Sequence, residues 1–281
     1  MTPRPPVELR EIHGPTALGG GRRRAWELLA IMASADFKRA YRGTALGYLW
    51  TVARPLLLFV VLLAVFTQVF RIGSQVEHYP VLLLLNIVLY GLFQDATTAG
   101  VTAISAQESL VRKTQFPRLV IPLAVVGTAT INLGLNMIVV TVFMVAFGVG
   151  PLWTWLLFPL VLLLLAVPTV AISMLLSVLY PRFRDTAIIW GLATTVLFYG
   201  TPVLYPSEAA PEKVGYLIRA NPLTPVFQLA RQWLIDPSAP GPGSGPHGGA
   251  LLVLSGVIYA LVVVVAVIVF RREVPRIAER L

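Results

Sequence analysis

Long apolar runs separated by short polar stretches dominate the chain, and the first of them begins where a basic, amphipathic segment ends. Residues 40–55 (AYRGTALGYLWTVARP) form that junction. Upstream, Trp26, Leu29, Ala33, Phe37 and Tyr41 recur at helical spacing across residues 22–42, while Glu27, Ser34, Lys38, Arg39 and Arg42 lie off the stripe. The pattern predicts a helix in the membrane interface, with its aromatic side among the headgroups and its basic side toward lipid phosphate. Leu28, Ile31 and Met32 interrupt the division of faces, which fits a helix that also touches a protein partner; a plain surface anchor is the alternative reading.

Six spans are expected after this point. The first covers roughly 46–70, but only 55–70 is free of charge, and those residues make a helix of about 24 Å, short of a full hydrocarbon core. The span therefore starts before Arg54, whose side chain snorkels toward the headgroups or pairs inside the protein, and Pro55 kinks its inner end. A second span runs from 80 to about 105. No charge falls between Arg118 and Arg182, and the Gly148-Val149-Gly150-Pro151 break divides that stretch into spans over 119–147 and 152–180. A fifth follows at 186–205, and 250–270 is the last, stopped by Arg271 and Arg272. Between these two, 206–236 is too polar to span yet carries two apolar clusters, predicting short re-entrant or surface helices, and 237–249 is a flexible Pro-Gly-Ser loop.

The charges orient the spans. Six crossings put both termini on one side, and that side collects 18 of the 22 Lys and Arg, so the positive-inside bias makes both termini cytoplasmic. The domain plan is then a flexible cytoplasmic tail (1–21), an interface helix (22–45), a six-span membrane domain (46–270, with a cytoplasmic loop at 105–118 and an external segment at 206–249) and a cytoplasmic tail (271–281). Composition agrees: 57% hydrophobic and 12% charged residues, with mean hydropathy +0.78, describe an all-α polytopic membrane protein. The net charge of +9 then reflects orientation, not a nucleic-acid partner. Without cysteine there is no disulfide framework, thiol catalysis or thiolate metal site, and His13, His78 and His247 are too far apart in sequence to promise a metal centre. The first 20 residues lack a signal-peptide pattern, so the first span is expected to insert uncleaved.

Two stretches carry candidate chemistry. Asp95 is the single charge of the second span, and a carboxylate at that depth must face water or protein. It lies either on a translocation path or in a relay, or it fixes helix packing through a bond to Asn132 or Asn136. In the 105–118 loop, Ser105 and Glu108 have capping-box spacing and Pro117 disfavours helix at Phe116. One reading is a short rigid helix, Arg112 and Lys113 at its polar end, suited to docking into a groove on a soluble partner. The other is that the second span simply extends into the cytoplasm and turns at Pro117.

Four ordered stretches carry a family resemblance: Tyr41-Arg42-x-Thr44-x-Leu46-Gly47-x-Leu49-Trp50 followed by Pro55, ESLVRKTQFPRLVIP at 108–122, TPVLYP at 201–206, and Asn221-Pro222 ahead of Arg231. Together they resemble the permease subunit of bacterial type-2 ABC exporters of polysaccharide, O-antigen and teichoic acid, over about residues 26–270. The resemblance implies that 22–42 is an interface helix and 105–118 a coupling helix. Both would meet a separate nucleotide-binding subunit through Lys38, Arg39, Tyr41, Arg42, Glu108, Arg112, Lys113, Phe116 and Arg118. It implies re-entrant helices closing the outer side after Pro206, a homodimer of permeases with two ATPase copies, and a lipid-linked glycan passing between the permeases in the bacterial cytoplasmic membrane. Tyr90, Phe93, Asp95, Phe198, Tyr199 and Tyr205 become candidates for the glycan path; lipid-facing or core aromatics are the plainer reading of each ring. The long Pro-Gly tail and the 237–249 loop depart from the family pattern.

No G-x-x-x-x-G-K-[ST] motif occurs in the chain, so ATP and Mg are expected on the partner and no cofactor on this chain. A membrane-embedded enzyme on a lipid-linked substrate would gather several ionisable residues at one membrane face, and a channel or proton-coupled carrier would place more than one in the spans. The pattern fits neither. A drug or small-lipid exporter permease is the nearer rival, distinguished by the motif around Trp50.

Overall fold

The computed structural model describes residues 21–41, 43, 47–69, 76–108, 117–245 and 247–280, and all its regular elements are helical. They are α1 (Gly21–Tyr41), α2 (Leu49–Ala64, continued by a π turn at Val65–Val69), α3 (Tyr79–Ala106), α4 (Val120–Ala146), α5 (Phe158–Leu179, preceded by a 3-10 turn at Trp153–Leu157), α6 (Thr186–Gly200), α7 (Glu212–Ala220), α8 (Thr224–Leu234) and α9 (Gly248–Arg280). Among the described residues five helices are long and apolar enough to cross a membrane: α2, α3, α4, α5 and α9 with their flanking turns.

The central helix is α3. Most of its apolar stretch is buried, whereas α2 and α9 leave most of theirs exposed, as helices facing lipid do. Helix α3 packs along both α4 and α5, and α5 in turn packs along α9. The α3–α5 seam is built on small residues. Gly100 lies so close to Ser173 that an added Cβ would sit 2.7 Å from the serine Cβ, and Ala96 and Ala103 continue the same face.

Two prolines shape the spans, and each carbonyl they release has a donor from another helix. Pro55 inside α2 has no N–H for the carbonyl of Thr51, and Asn136 of α4 donates to that oxygen at 3.2 Å. Pro168 inside α5 likewise leaves Leu164 without its helical donor, and the hydroxyl of Tyr259 on α9 donates to it at 3.0 Å. With no water in the hydrocarbon, such cross-helix bonds are what makes the kinks tolerable. The turn between α4 and α5 is a Schellman motif: Gly148 has φ +75°, Val149 N–H donates to Met144 O at 2.8 Å, and both side chains are buried together.

The fifth expected span, over 186–205, is shorter than its apolar run. Helix α6 ends at Gly200 after 15 residues, about 22 Å of helix. Thr201, preceding Pro202, is extended, and 201–206 forms a tight turn against α3. Asn86 donates to Pro202 O and Val203 O at 3.1 and 3.2 Å, and the hydroxyl of Tyr79 donates to Leu204 O at 2.7 Å, so protein donors replace helical ones. Helices α7 and α8 fold back beneath this turn. Asn221 donates to Gly200 O and Thr201 Oγ1, Trp155 Nε1 donates to Leu234 O, and Phe227 is buried.

The last helix outlasts its apolar stretch. α9 continues through Arg271 and Arg272 to Arg280, because arginine and glutamate stop membrane insertion without opposing helix.

Candidate functional site

The C-terminal ends of α1 and α3 and the N-terminal ends of α2 and α4 converge. On α1, Leu29 and Ala33 of the stripe pack on α4: Gly127 of α4 is where a Cβ would meet Ala33 at 3.1 Å and Leu29 at 3.6 Å, and Thr128 donates to Ala33 O at 3.1 Å. Trp26 and Ile31 remain exposed, and Met32 packs into a cluster of Ile104, Ile121, Met174 and Phe270. Lys38 and Arg39 are exposed near the helix end, Arg39 lying 3.8 Å from Asp36. Arg42, Thr44 and Leu46 lie outside the described residues. The corner into α2 is closed by Phe37 stacked on Tyr48 at 5.2 Å. Gly47 has φ +51° with open space around it, so left-handed backbone, not close approach, is what requires glycine there. Trp50 is exposed beyond it.

In the 105–118 loop, Ser105 lies in the last turn of α3, its hydroxyl oxygen buried and, among the described residues, without a hydrogen-bond partner. The second span extends to Ala106, and Glu108 is half-buried just beyond it. Arg112, Lys113 and Phe116 lie outside the described residues. Arg118, just ahead of α4, donates to the carbonyl of Val274 on α9, a link between the loop's exit and the last helix that the sequence does not announce.

Between α1, α2, α3 and α4 lies a cavity of about 410 Å³ at this end of the bundle. Asp36, Arg39, Arg54, Asp95, Gln107 and Asn132 line it, with alanines and threonines between them. Asp95 therefore shares its cavity with Arg54, within Coulombic reach, and Asn136 is occupied with Thr51 O and Asn132 O instead. The sequence showed both charges but not that one cavity joins them.

The aromatic candidates divide. Tyr90 and Phe93 are buried in the protomer, where with Phe198 and Trp190 they join α3 to α6; the Tyr90–Phe198 rings meet edge to face at 5.2 Å and the Tyr90 hydroxyl donates to Thr194 O. Tyr205 donates to Tyr199 O at 2.7 Å and is half-buried, leaving Tyr199 as the exposed ring of the set. On the opposite end of the bundle, Arg231 sits 3.2 Å from Glu208 and 3.9 Å from Asp236, so this cation is offset locally. Among the described residues no group of three His, Cys, Asp or Glu is placed to hold a metal ion.

A bundle with five helices long and apolar enough to cross a membrane, kinked by prolines, is that of a multi-pass membrane protein. The family described as ABC-2 type transporter matches residues 27–235, and the chain belongs to it; the membrane subunits of this family work with a partner ATPase subunit. Three curated relatives carry the name O-antigen export system permease protein RfbA. One from Klebsiella pneumoniae is 33% identical over 199 residues, covering 70% of this chain and 76% of the relative. A second from the same organism is 31% identical over 212 residues (75% and 81%), and one from Myxococcus xanthus is 34% identical over 198 residues (70% and 75%).

Proposed function

We propose that the chain is the permease of an ATP-driven exporter that carries a lipid-linked polysaccharide of the O-antigen class across the bacterial cytoplasmic membrane. The observation that carries this reading is the likeness to three O-antigen export permeases over 70–75% of the chain. Both termini lie in the cytoplasm, in keeping with the charge bias. Two copies of the permease and two copies of the nucleotide-binding subunit make the working unit, and the glycan passes between the permeases. ATP and Mg are held by the partner, and no cofactor by this chain.

In this reading α1 and the 105–118 loop receive the partner's motion. Its route into the bundle is physical: α1 is seated on α4 through Ala33 and Gly127, and Arg118 ties the loop's exit to α9. Arg112, Lys113, Phe116 and Glu108 form the docking side of the loop. The 206–249 segment closes the outer side. Tyr199 remains as a path-lining group, while Tyr90 and Phe93 hold the wall together.

The test is to co-express the chain with its ATPase in a strain lacking its own exporter. Surface glycan should appear only when both are present, and replacement of Glu108 with Arg112 should lower coupled ATPase activity in complexes that still assemble. Export without the ATPase, or failure to restore any surface glycan with both subunits assembled, would refute the assignment.

A further inference from the structure

The cavity between α1, α2, α3 and α4 is larger and more polar than helix packing requires. Asp36, Arg39 and Gln107 line it near the helix ends, and Arg54, Asp95 and Asn132 line its floor farther along α2, α3 and α4. Asp95 lies eleven residues before Ala106 on α3, so the recess reaches about 16 Å along the helix into the membrane half. A charge at that depth is tolerated only beside water, a partner or a ligand. Asp95 and Arg54 both open into the cavity, and among the described residues neither closes a direct ion pair across it.

The lining selects a class of ligand. Two guanidiniums and two carboxylates leave it without net charge, which gives a bare anion such as phosphate no overall attraction. Charged and amide groups alternate with apolar ones such as Met32, Ile121 and Val125, which suits a ligand with both hydroxyls and apolar ring faces, and no metal-ligating cluster is present among the described residues. What suits alternating charged donors and acceptors is a neutral group bearing many hydroxyls, each able to donate to a carboxylate and accept from an arginine or amide. A volume of about 410 Å³ falls in the range of small-molecule sites.

We infer that this recess is a sugar-binding site within each protomer, taking pyranose residues at the cytoplasmic end of the exported glycan, with Asp95 and Arg54 as its floor contacts. The inference rests on the transport reading above and adds a site that lies inside one protomer, apart from the path between the two.

The absence of cysteine from the sequence provides the test. A single cysteine is introduced as T102C, or as A99C in a second variant, both lining the recess, in the intact permease–ATPase complex in lipid nanodiscs. Its alkylation by a charged maleimide is timed with D-mannose, D-galactose or N-acetyl-D-glucosamine, and with inorganic phosphate at equal concentration. A sugar at ten times its Kd slows labelling about tenfold by mass action. The expected result is that at least one sugar, up to about 100 mM, reaches that order of protection. Phosphate should give none, and D95N or R54Q should abolish the protection without abolishing labelling. No protection by any of the three sugars, equal protection by phosphate, protection that survives D95N and R54Q, or no labelling at either position overturns the inference. Glycan export by the unmodified chain is scored separately: export without sugar protection removes this site alone, whereas assembled complexes that export no glycan remove the transport reading.

Discussion

Replacing Tyr259 with phenylalanine removes one hydroxyl and almost no volume, and the structure says which group is left unserved. Leu164 O in α5 has lost its helical donor to Pro168 and receives the Tyr259 hydroxyl at 3.0 Å. A hydrogen bond of this kind contributes about 0.5–1.5 kcal/mol net, and cross-helix bonds measured in membranes average about 0.6 with a ceiling near 1.7. Y259F should therefore cost about 1 kcal/mol, a fall of roughly 2–4 °C in the thermal midpoint for a domain of this size. In the P168A background the alanine N–H at position 168 supplies the missing donor, and the same Y259F change should cost only a few tenths of a kcal/mol. The assay is a thermal or denaturant melt of the four proteins in one detergent. Whatever P168A does by straightening α5 is subtracted by the cycle. Equal costs for Y259F in the two backgrounds would show that the tyrosine does not serve the proline-freed carbonyl.

The α3–α5 seam predicts that G100A, whose methyl would fall 2.7 Å from Ser173 Cβ, costs about 1–3 kcal/mol more than G91A, where nothing lies within 4 Å; adding S173G should recover part of the loss in the same melts. Asn86→Leu removes both donors from the turn at 201–206, so hydrogen exchange at Val203 and Leu204 should accelerate, with a stability loss of about 1–3 kcal/mol. Gly127→Val pushes α1 off α4 at Ala33, whereas Gly134→Val on the same helix meets open space. The first should reduce ATPase coupling in purified complexes several-fold more than the second, and equal effects would mean that the α1–α4 contact is not on the coupling route.

How much of this is legible in the sequence depends on the range of the interaction concerned. The second and third spans begin and end within two residues of where hydropathy puts them, and Gly148 is readable as a turn, because apolar runs and glycine act over a few residues. The fifth span reads five residues too long: TPVLYP is apolar enough to continue a helix, and only the donors of Asn86 and Tyr79, more than 110 residues away, make an open turn tolerable there. At Ser105 the capping-box spacing coincides with the last turn of α3, which ends at Ala106, and the helix it would start, over 109–116, lies outside the described residues.

The sequence by itself determined the helical class and the apolar runs that cross the membrane, since these follow from transfer free energies. It also showed Asp95 and Arg54 as costly charges. Tertiary structure alone decided that they share one cavity, that Leu29 and Ala33 of α1 are seated on α4, and that Asn136 and Tyr259 complete the kinks at Pro55 and Pro168. Each of these depends on which helix faces which, and no local pattern of polarity carries that information.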